Sequence, residues 1–396
     1  ANPVIFTNGD NDTFPLWYNQ ETEGVRTDAR VCNLSYLQTD WYIDQMRRPA
    51  YDSPSLPISW TRLQYVTGTR EGIPVQPDAL QQVIDYYKDS PEDLKQMLGD
   101  NPYELKNIIR HWVLNDNPDL QIFPTDSIVV TVDKEAVKRS GMMIAADSIP
   151  DAMHISLKGK RAVYKSEMMM LEMISQANWE RPLYMSTTVG PDNYGHLGDN
   201  FVQEGLACRI TPFDTKQSGR TIDSERMYNN MMNKFKYGGL KENPDIYLDE
   251  TVIRMCYTHR RLFNQLAQQL LKEGQKDKAL KVLQRAEEEI PGSIVPHEAF
   301  YGHSLELADA WLALGHKAEA EKLLNAVGQN AREYIEWYLS LNTQRLLQSS
   351  RECLMQIYIL NDIAKTWEPI DKKKAETYRM EVNNYASRCH QRGMSL

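Results

Sequence analysis

The usual signals for a membrane span, a disulfide framework or a metal cluster are scarce in this sequence. No apolar run approaches the roughly 20 residues that cross a bilayer; the richest, Met168-Met-Met-Leu-Glu-Met-Ile174, is broken by Glu172. Cysteine is sparse: five in 396 residues, at 32, 208, 256, 353 and 389, with no C-x-x-C pair and no metal-ligand spacing. They read as buried small hydrophobes and leave the compartment open, because large domains in an oxidising compartment need no disulfides. An excess of positive charge is lacking too. A net charge of -9 argues against nucleic acid or an anionic membrane surface as the main partner, since both select a basic face. The short basic runs Lys158-Gly-Lys-Arg161 and Lys372-Lys-Lys374 read as solvated faces.

Catalytic templates are missing as well. There is no G-x-G-x-x-G, no G-x-x-x-x-G-K-[ST] and no G-x-S-x-G. His297-Glu298 lacks the second histidine that a zinc helix needs at 301, which is Tyr, and His303 is out of register. No cofactor, metal or catalytic residue is therefore expected within the chain.

What is present describes a large ordered body. With 41% hydrophobic and 25% charged residues, the chain can bury two or three cores. It opens in the middle of a fold: Val4 to Thr7 reads as a buried strand and Asn8-Gly9 as the turn that ends it. Asp10-Asn11-Asp12-Thr13 then read as polar caps of a helix carrying Pro15 in its first turn. A strand this apolar needs neighbours on both sides. With no signal-type segment ahead of it, the chain is expected to be a piece of something longer.

Strand-like and helix-like patterns alternate through the first half. Ala29 to Ser35 reads as a strand and Thr39 to Met46 as a helix capped by Thr39. After a Pro-rich connector (Pro49, Pro54, Pro57), Leu63 to Thr67 reads as a strand. Helices follow near Asp78 to Lys88, Pro91 to Leu98 and Pro102 to Asn115. Ser127 to Val132, Ala152 to Leu157, Pro182 to Ser186 and Leu206 to Thr211 read as strands, with a helix from Ser166 to Ala177 between them. This order predicts an α/β domain over residues 1–222, a mainly parallel sheet with flanking helices.

From about Asp223 strand signals vanish. A helical linker is expected over 223–262 and an all-α, tetratricopeptide-like solenoid over 263–396. Gly274, Ala279, Leu283, Ala286 and Pro291, with Leu266, Ala267 and Leu270 before them, occupy positions where small residues let two antiparallel helices approach and Pro stops the second. A second frame hangs on Gly315, with Leu307, Ala308 and Trp311 before it and Ala320 and Leu324 after it. The region from Gly292 to Gly302 is expected as a loop or lengthened helix. Tyr334 to Trp367 and Lys373 to Cys389 are long helical patterns that would complete the stack.

Asp10-Asn11-Asp12 at the carboxyl end of a strand is where an α/β fold gathers ligands. Two carboxylates so spaced could share a divalent cation and a diphosphate, or simply cap the helix and stabilise its positive end. Both readings stand at the level of spacing. Gly190-Pro-Asp-Asn-Tyr-Gly-His-Leu-Gly198 is either a substrate-facing loop or a long turn.

Three segments together resemble one family: Phe6-Thr-Asn-Gly-Asp-Asn-Asp-Thr-Phe-Pro-Leu-Trp-Tyr18; Val31-Cys-Asn-Leu-Ser35 with Thr39-Asp-Trp-Tyr42; and Arg181-Pro-Leu-Tyr-Met-Ser-Thr-Thr-Val-Gly-Pro-Asp-Asn-Tyr194 with Gln203-Glu-Gly-Leu-Ala207. They resemble the soluble carboxyl-terminal portion of the bacterial DUF2723 membrane proteins, relatives of the TMEM260-type protein O-mannosyltransferases. The resemblance spans most of residues 2 to 260. It implies an additional membrane-embedded amino-terminal region of the GT-C type, which takes sugar from a lipid-phosphate donor and glycosylates exported proteins. This chain would then lie at the periplasmic face of the inner membrane, close the substrate cleft and present protein or peptide through its tetratricopeptide groove. Asp10, Asn11, Asp12, Trp17, Asp40, Trp41, Asp192, Asn193 and Tyr194 are the residues expected nearest that cleft. Two other readings compete: a non-enzymatic tetratricopeptide scaffold, and a metal-dependent transferase built on Asp10 and Asp12.

Overall fold

Nine strands form three sheets in the described part of the computed structural model, residues 1–394. They are β1 (Val4–Thr7), β2 (Arg30–Asn33), β3 (Gly72–Pro74), β4 (Ser127–Thr131), β5 (Ala152–Ser156), β6 (Ala162–Tyr164), β7 (Leu183–Ser186), β8 (Phe201–Gln203) and β9 (Ala207–Ile210). The main sheet has the order β2-β1-β7-β9-β8, which gives β1 the two neighbours its apolar sequence demands. Val4 pairs with Arg30 on one side and with Leu183 on the other, both in parallel. The outer half is antiparallel, so the α/β domain carries a mixed sheet rather than a mainly parallel one. The reason is the link between β8 and β9, residues 204–206, which is long enough for a hairpin and far too short for a parallel crossover. β4 with β5 and β3 with β6 form two separate antiparallel pairs.

The helices of this unit are α1 (Asp10–Glu21), α2 (Asp40–Met46), α3 (Arg62–Tyr65), α4 (Ala79–Tyr86), α5 (Pro91–Leu98), α6 (Leu105–Ile108), α7 (Lys134–Arg139), α8 (Lys165–Gln176) and α9 (Thr215–Ser218). A π-helical turn over Ile109–Val113 prolongs α6. The methionine-rich α8 is the core element. Nine of its residues, from Lys165 to Ser175, are buried, which is the mark of a helix enclosed on every side. Its one internal acid, Glu172, accepts from the Ser59 amide (2.9 Å) and hydroxyl (2.6 Å), so the buried carboxyl is partnered.

Two local expectations fail. Leu63 to Thr67 is not a strand: Thr61 and Gln64 form a reciprocal capping box that starts α3, and Leu63 is left 80% exposed. Pro15 lies beyond the first turn, because α1 begins at Asp10 with Gly9 as N-cap at φ 80°. Of the basic runs, Lys160 is tied to Glu167 and Lys374 to Glu321, so neither run is wholly a free solvated face.

The chain divides after Asp223 into a second unit, Ser224–Leu396. Among its described residues it is all helical: α10 (Ser224–Asn229), α11 (Glu250–Lys272), α12 (Lys276–Glu289), α13 (Ser304–Ala313), α14 (Lys317–Ser340), α15 (Thr343–Gln348), α16 (Ser350–Trp367) and α17 (Lys372–Gln391). α11 runs unbroken across the expected linker end at 262. Helices pack as successive pairs, α11 with α12, α13 with α14 and α16 with α17. Gly274 and Gly315 make the turns of the first two pairs at φ 75° and 82°, a conformation in which an L side chain is strained. Ala267, Ala279, Ala286, Ala308 and Ala320 are all buried at the close approaches. The expected long pattern from Tyr334 to Trp367 is interrupted. α14 ends at Ser340, and Asn342 caps α15 by accepting from the Arg345 amide at 3.0 Å.

Residues 290–303, between α12 and α13, form the expected loop, and one buried side chain holds it. The guanidinium of Arg260, on α11, donates to the carbonyls of Ile290 (3.0 Å), Val295 (2.8 Å) and Pro296 (3.1 Å). His297, the residue of the abandoned zinc pattern, is buried in the same loop with Nε2 3.4 Å from the Glu287 carboxylate.

Candidate functional site

Parallel pairing brings the carboxyl ends of β1, β2 and β7 to one edge of the sheet, with β1 between the other two. The chain leaves β1 to build β2 on one side and returns to build β7 on the other. This reversal of strand order is where open α/β sheets leave a crevice for ligands.

Polar side chains knit that edge together. Thr7 and Thr13 share a hydroxyl hydrogen bond of 2.8 Å, and the Asn33 amide donates to Thr13 at 2.8 Å. The phenol of Tyr42, held far above its ordinary range by burial, accepts from the Asn33 amide N–H at 2.9 Å. Asp12 crosses from α1 to β7. One carboxylate oxygen accepts from the Asn8 amide at 2.9 Å; the other accepts from the Ser186 hydroxyl at 2.9 Å and from Thr188.

Asp10 has a different setting. It lies exposed in the first turn of α1 and accepts from the Tyr36 hydroxyl at 3.3 Å. Neither acid is the N-cap, which is Gly9 and makes no side-chain cap bond. Loss of solvent around the phenol, then the Asp10 charge, raises Tyr36 above its usual pKa. Asn11 is exposed beside these two acids.

Tyr36 is also the centre of a row of aromatic rings. Phe14 stacks on Trp17 with centroids 5.6 Å apart, Trp17 on Tyr36 at 6.3 Å, and Tyr36 meets Trp41 at 5.9 Å. Tyr42 supports Tyr36 and Trp41 edge-on from the buried side. Phe14 remains 45% exposed and Trp41 54%. Asp40 sets the start of α2 next to Trp41: it accepts from the Thr67 amide at 3.3 Å, a bond that holds its carboxyl below the ordinary range.

The expected residues thus divide. Asp10, Trp17 and Trp41 meet through Tyr36, Asp12 anchors α1 to β7 behind them, and Asn11 and Asp40 flank the row. The 190–198 segment behaves otherwise. Asp192 and Asn193 are exposed on a short 3-10 turn, while Tyr194 turns inward and packs edge-on against Phe201 at 4.9 Å. Gly195 keeps this segment against α8, since a Cβ there would overlap Met170. Tyr36, Ser186 and Thr188 join the constellation although sequence reasoning did not single them out. The signal was available for Tyr36, three residues beyond the end of β2 on the ligand-gathering edge.

Among the described residues no group of three or more His, Cys, Asp or Glu side chains could hold a metal ion. No helix among them is long and apolar enough to cross a membrane.

A family model described as TMEM260-associated domain 2 matches residues 1–230, more than half of the chain and all of the sheet-bearing unit. The chain belongs to the TMEM260-associated domain 2 family. No curated protein and no solved structure matches it. The matched region contains Asp10, Asp12, the aromatic row and the 190–198 segment, so the whole edge of the sheet lies in the TMEM260-associated domain; the paired helices, from Glu250 onward, lie outside it.

Proposed function

We propose that this chain is the extracytoplasmic portion of a membrane glycosyltransferase, at the periplasmic face of the inner membrane, acting on exported proteins from a lipid-phosphate sugar donor. Its own part is substrate recognition and closure of the cleft. The observation that carries this reading is the edge of the sheet at β1, where an exposed carboxylate, Asp10, lies beside the row Phe14, Trp17, Tyr36 and Trp41 in a TMEM260-associated domain. Aromatic faces beside a hydrogen-bond acceptor suit a ligand with both apolar and hydroxyl surfaces. Asp12 has a supporting role: with both oxygens engaged by Asn8, Ser186 and Thr188, it fixes the angle between α1 and β7 and so the position of the row.

The helical unit serves as the groove for protein or peptide. Its small residues and left-handed glycines occupy the tetratricopeptide positions, and α14 exposes Tyr334 and Trp337 in one turn. That exposed pair also favours a second reading, a scaffold that binds protein without enzymatic connection.

Complementation of a deletion strain with the full-length protein separates the two. Asp10→Ala and Trp41→Ala should lower glycosylation of exported proteins per molecule of folded enzyme. Loss of partner binding from a Trp337→Ala variant, in cells whose glycosylation never depended on the gene, would establish the scaffold instead.

A further inference from the structure

Two of the five cysteines, 36 positions apart in the chain (389 - 353), meet in the helical unit. Cys353 lies in the first turns of α16 and Cys389 in the last turn of α17, helices that pack against each other. Their sulfurs are 4.0 Å apart, within sulfur hydrogen-bond reach, and both side chains are fully buried. We propose that Cys353 and Cys389 are a modification site: they close to a reversible disulfide that staples the start of α16 to the end of α17.

The geometry is prepared for closure from both sides. Arg388 grips Glu336 with two bonds of 2.6 and 2.7 Å, and Arg392 donates to the carbonyls of Leu339 (2.6 Å) and Leu341 (2.7 Å). These contacts dock the end of α17 on the end of α14 and hold Cys389 at its partner. A disulfide needs the sulfurs about 2 Å closer than the 4.0 Å at which they stand. Neither thiol need be reached through the core. Both lie in terminal turns, which open at lower free energy than helix centres, and α17 ends two residues after Cys389.

The co-reactant is a small-molecule disulfide. The Cys389 thiolate, exposed when the last turn opens, attacks one of its sulfurs, forming a mixed disulfide and releasing one thiolate. On reclosing, the Cys353 thiolate attacks the Cys389 sulfur and releases the second. Two protein thiols are oxidised, one disulfide is reduced to two thiols, and the two protons pass to the released thiolates. The cross-link restricts the unfolded chain, so the stapled form should melt higher.

The test uses the full chain with oxidised glutathione under native conditions. After alkylation of the remaining thiols, mass spectrometry should find two hydrogens lost and no glutathione retained. Peptide mapping should join Cys353 to Cys389 alone, the thermal midpoint should rise, and dithiothreitol should reverse both changes. Cys353→Ala should instead accumulate the glutathione adduct on Cys389, with no rise in midpoint. Retention of both thiols after prolonged oxidation, a persistent adduct in the natural chain, or pairing with Cys32, Cys208 or Cys256 would each overturn the proposal; the map of the natural chain decides this even if the variant does not fold.

Discussion

Asp12 of α1 and Ser186 of β7 are joined by a 2.9 Å hydrogen bond across 174 residues of sequence, at the point where the strand order of the main sheet reverses. The neighbouring acid, Asp10, is exposed at the same edge and accepts from the Tyr36 hydroxyl. Two carboxylates that look equivalent in sequence therefore have different work, and substitution should separate them.

Asp12→Ala removes the acceptor of three donors and is expected to destabilise the first unit by about 1–3 kcal/mol. Asp10→Ala, at an exposed position, should stay within about 0.5 kcal/mol of the natural chain. Urea unfolding of both variants checks this; equal loss from both would mean that Asp10 also has a structural role.

Arg260→Leu is expected to cost about 3 kcal/mol, since it strips two buried carbonyls and one partly buried one of their donor and frees the loop between α12 and α13. The lysine variant should recover little, because an ammonium has no planar fork to span three acceptors. Protease sensitivity within residues 290–303, compared between the three proteins, reads the loop directly.

Glycine positions in the helical unit should respond by two mechanisms. Gly274→Ala meets open space but a φ of 75°, so its cost is the backbone strain alone, about 1–2 kcal/mol. Gly292→Ala places a methyl group into the His297 imidazole and should displace the loop. Thermal midpoints together with hydrogen exchange of the loop amides distinguish strain from displacement.

His259 supplies a pH dependence. It packs edge-on against Phe235 at 6.1 Å and Tyr237 at 5.6 Å, and burial lowers its pKa from 6.5. A base whose folded pKa is depressed binds its proton more readily when unfolded. Stability from this site is thus complete above pH 6.5 and falls as the pH drops below it, toward the folded value. Denaturant midpoints between pH 7.5 and 5.5 should decline in the natural chain and decline less in His259→Phe; identical slopes would assign the effect to other groups.

Much of this architecture was legible because local signals agreed with the global fold. The opening strand, the enclosed methionine-rich helix and the glycine turns of the paired helices each follow from periodicity and turn chemistry alone. Leu63 to Thr67 misled because β-branched and aromatic residues imitate a strand, whereas the capping box decides the conformation. The antiparallel half of the sheet was hidden by its short strands and three-residue hairpin, whose partner lies elsewhere in the sequence. At the site, aromatic residues flagged singly form a row only through Tyr36, whose place just beyond β2 marks the edge but not the ring contacts. Loop position and the family resemblance together put Tyr194 near the cleft; in the fold its ring packs edge-on against Phe201, a contact that spacing does not reveal.

The central position of β1 has a kinetic consequence. Val4 must wait for Leu183 before the strand has both neighbours, so the innermost pairing of the first unit is among its most distant in the chain. Closing such a long loop is entropically slow. During synthesis the apolar segment from Val4 to Phe6 would therefore keep one strand edge unpaired until the ribosome has delivered β7. That interval, rather than equilibrium stability, is when this domain is most exposed to aggregation and most dependent on being shielded.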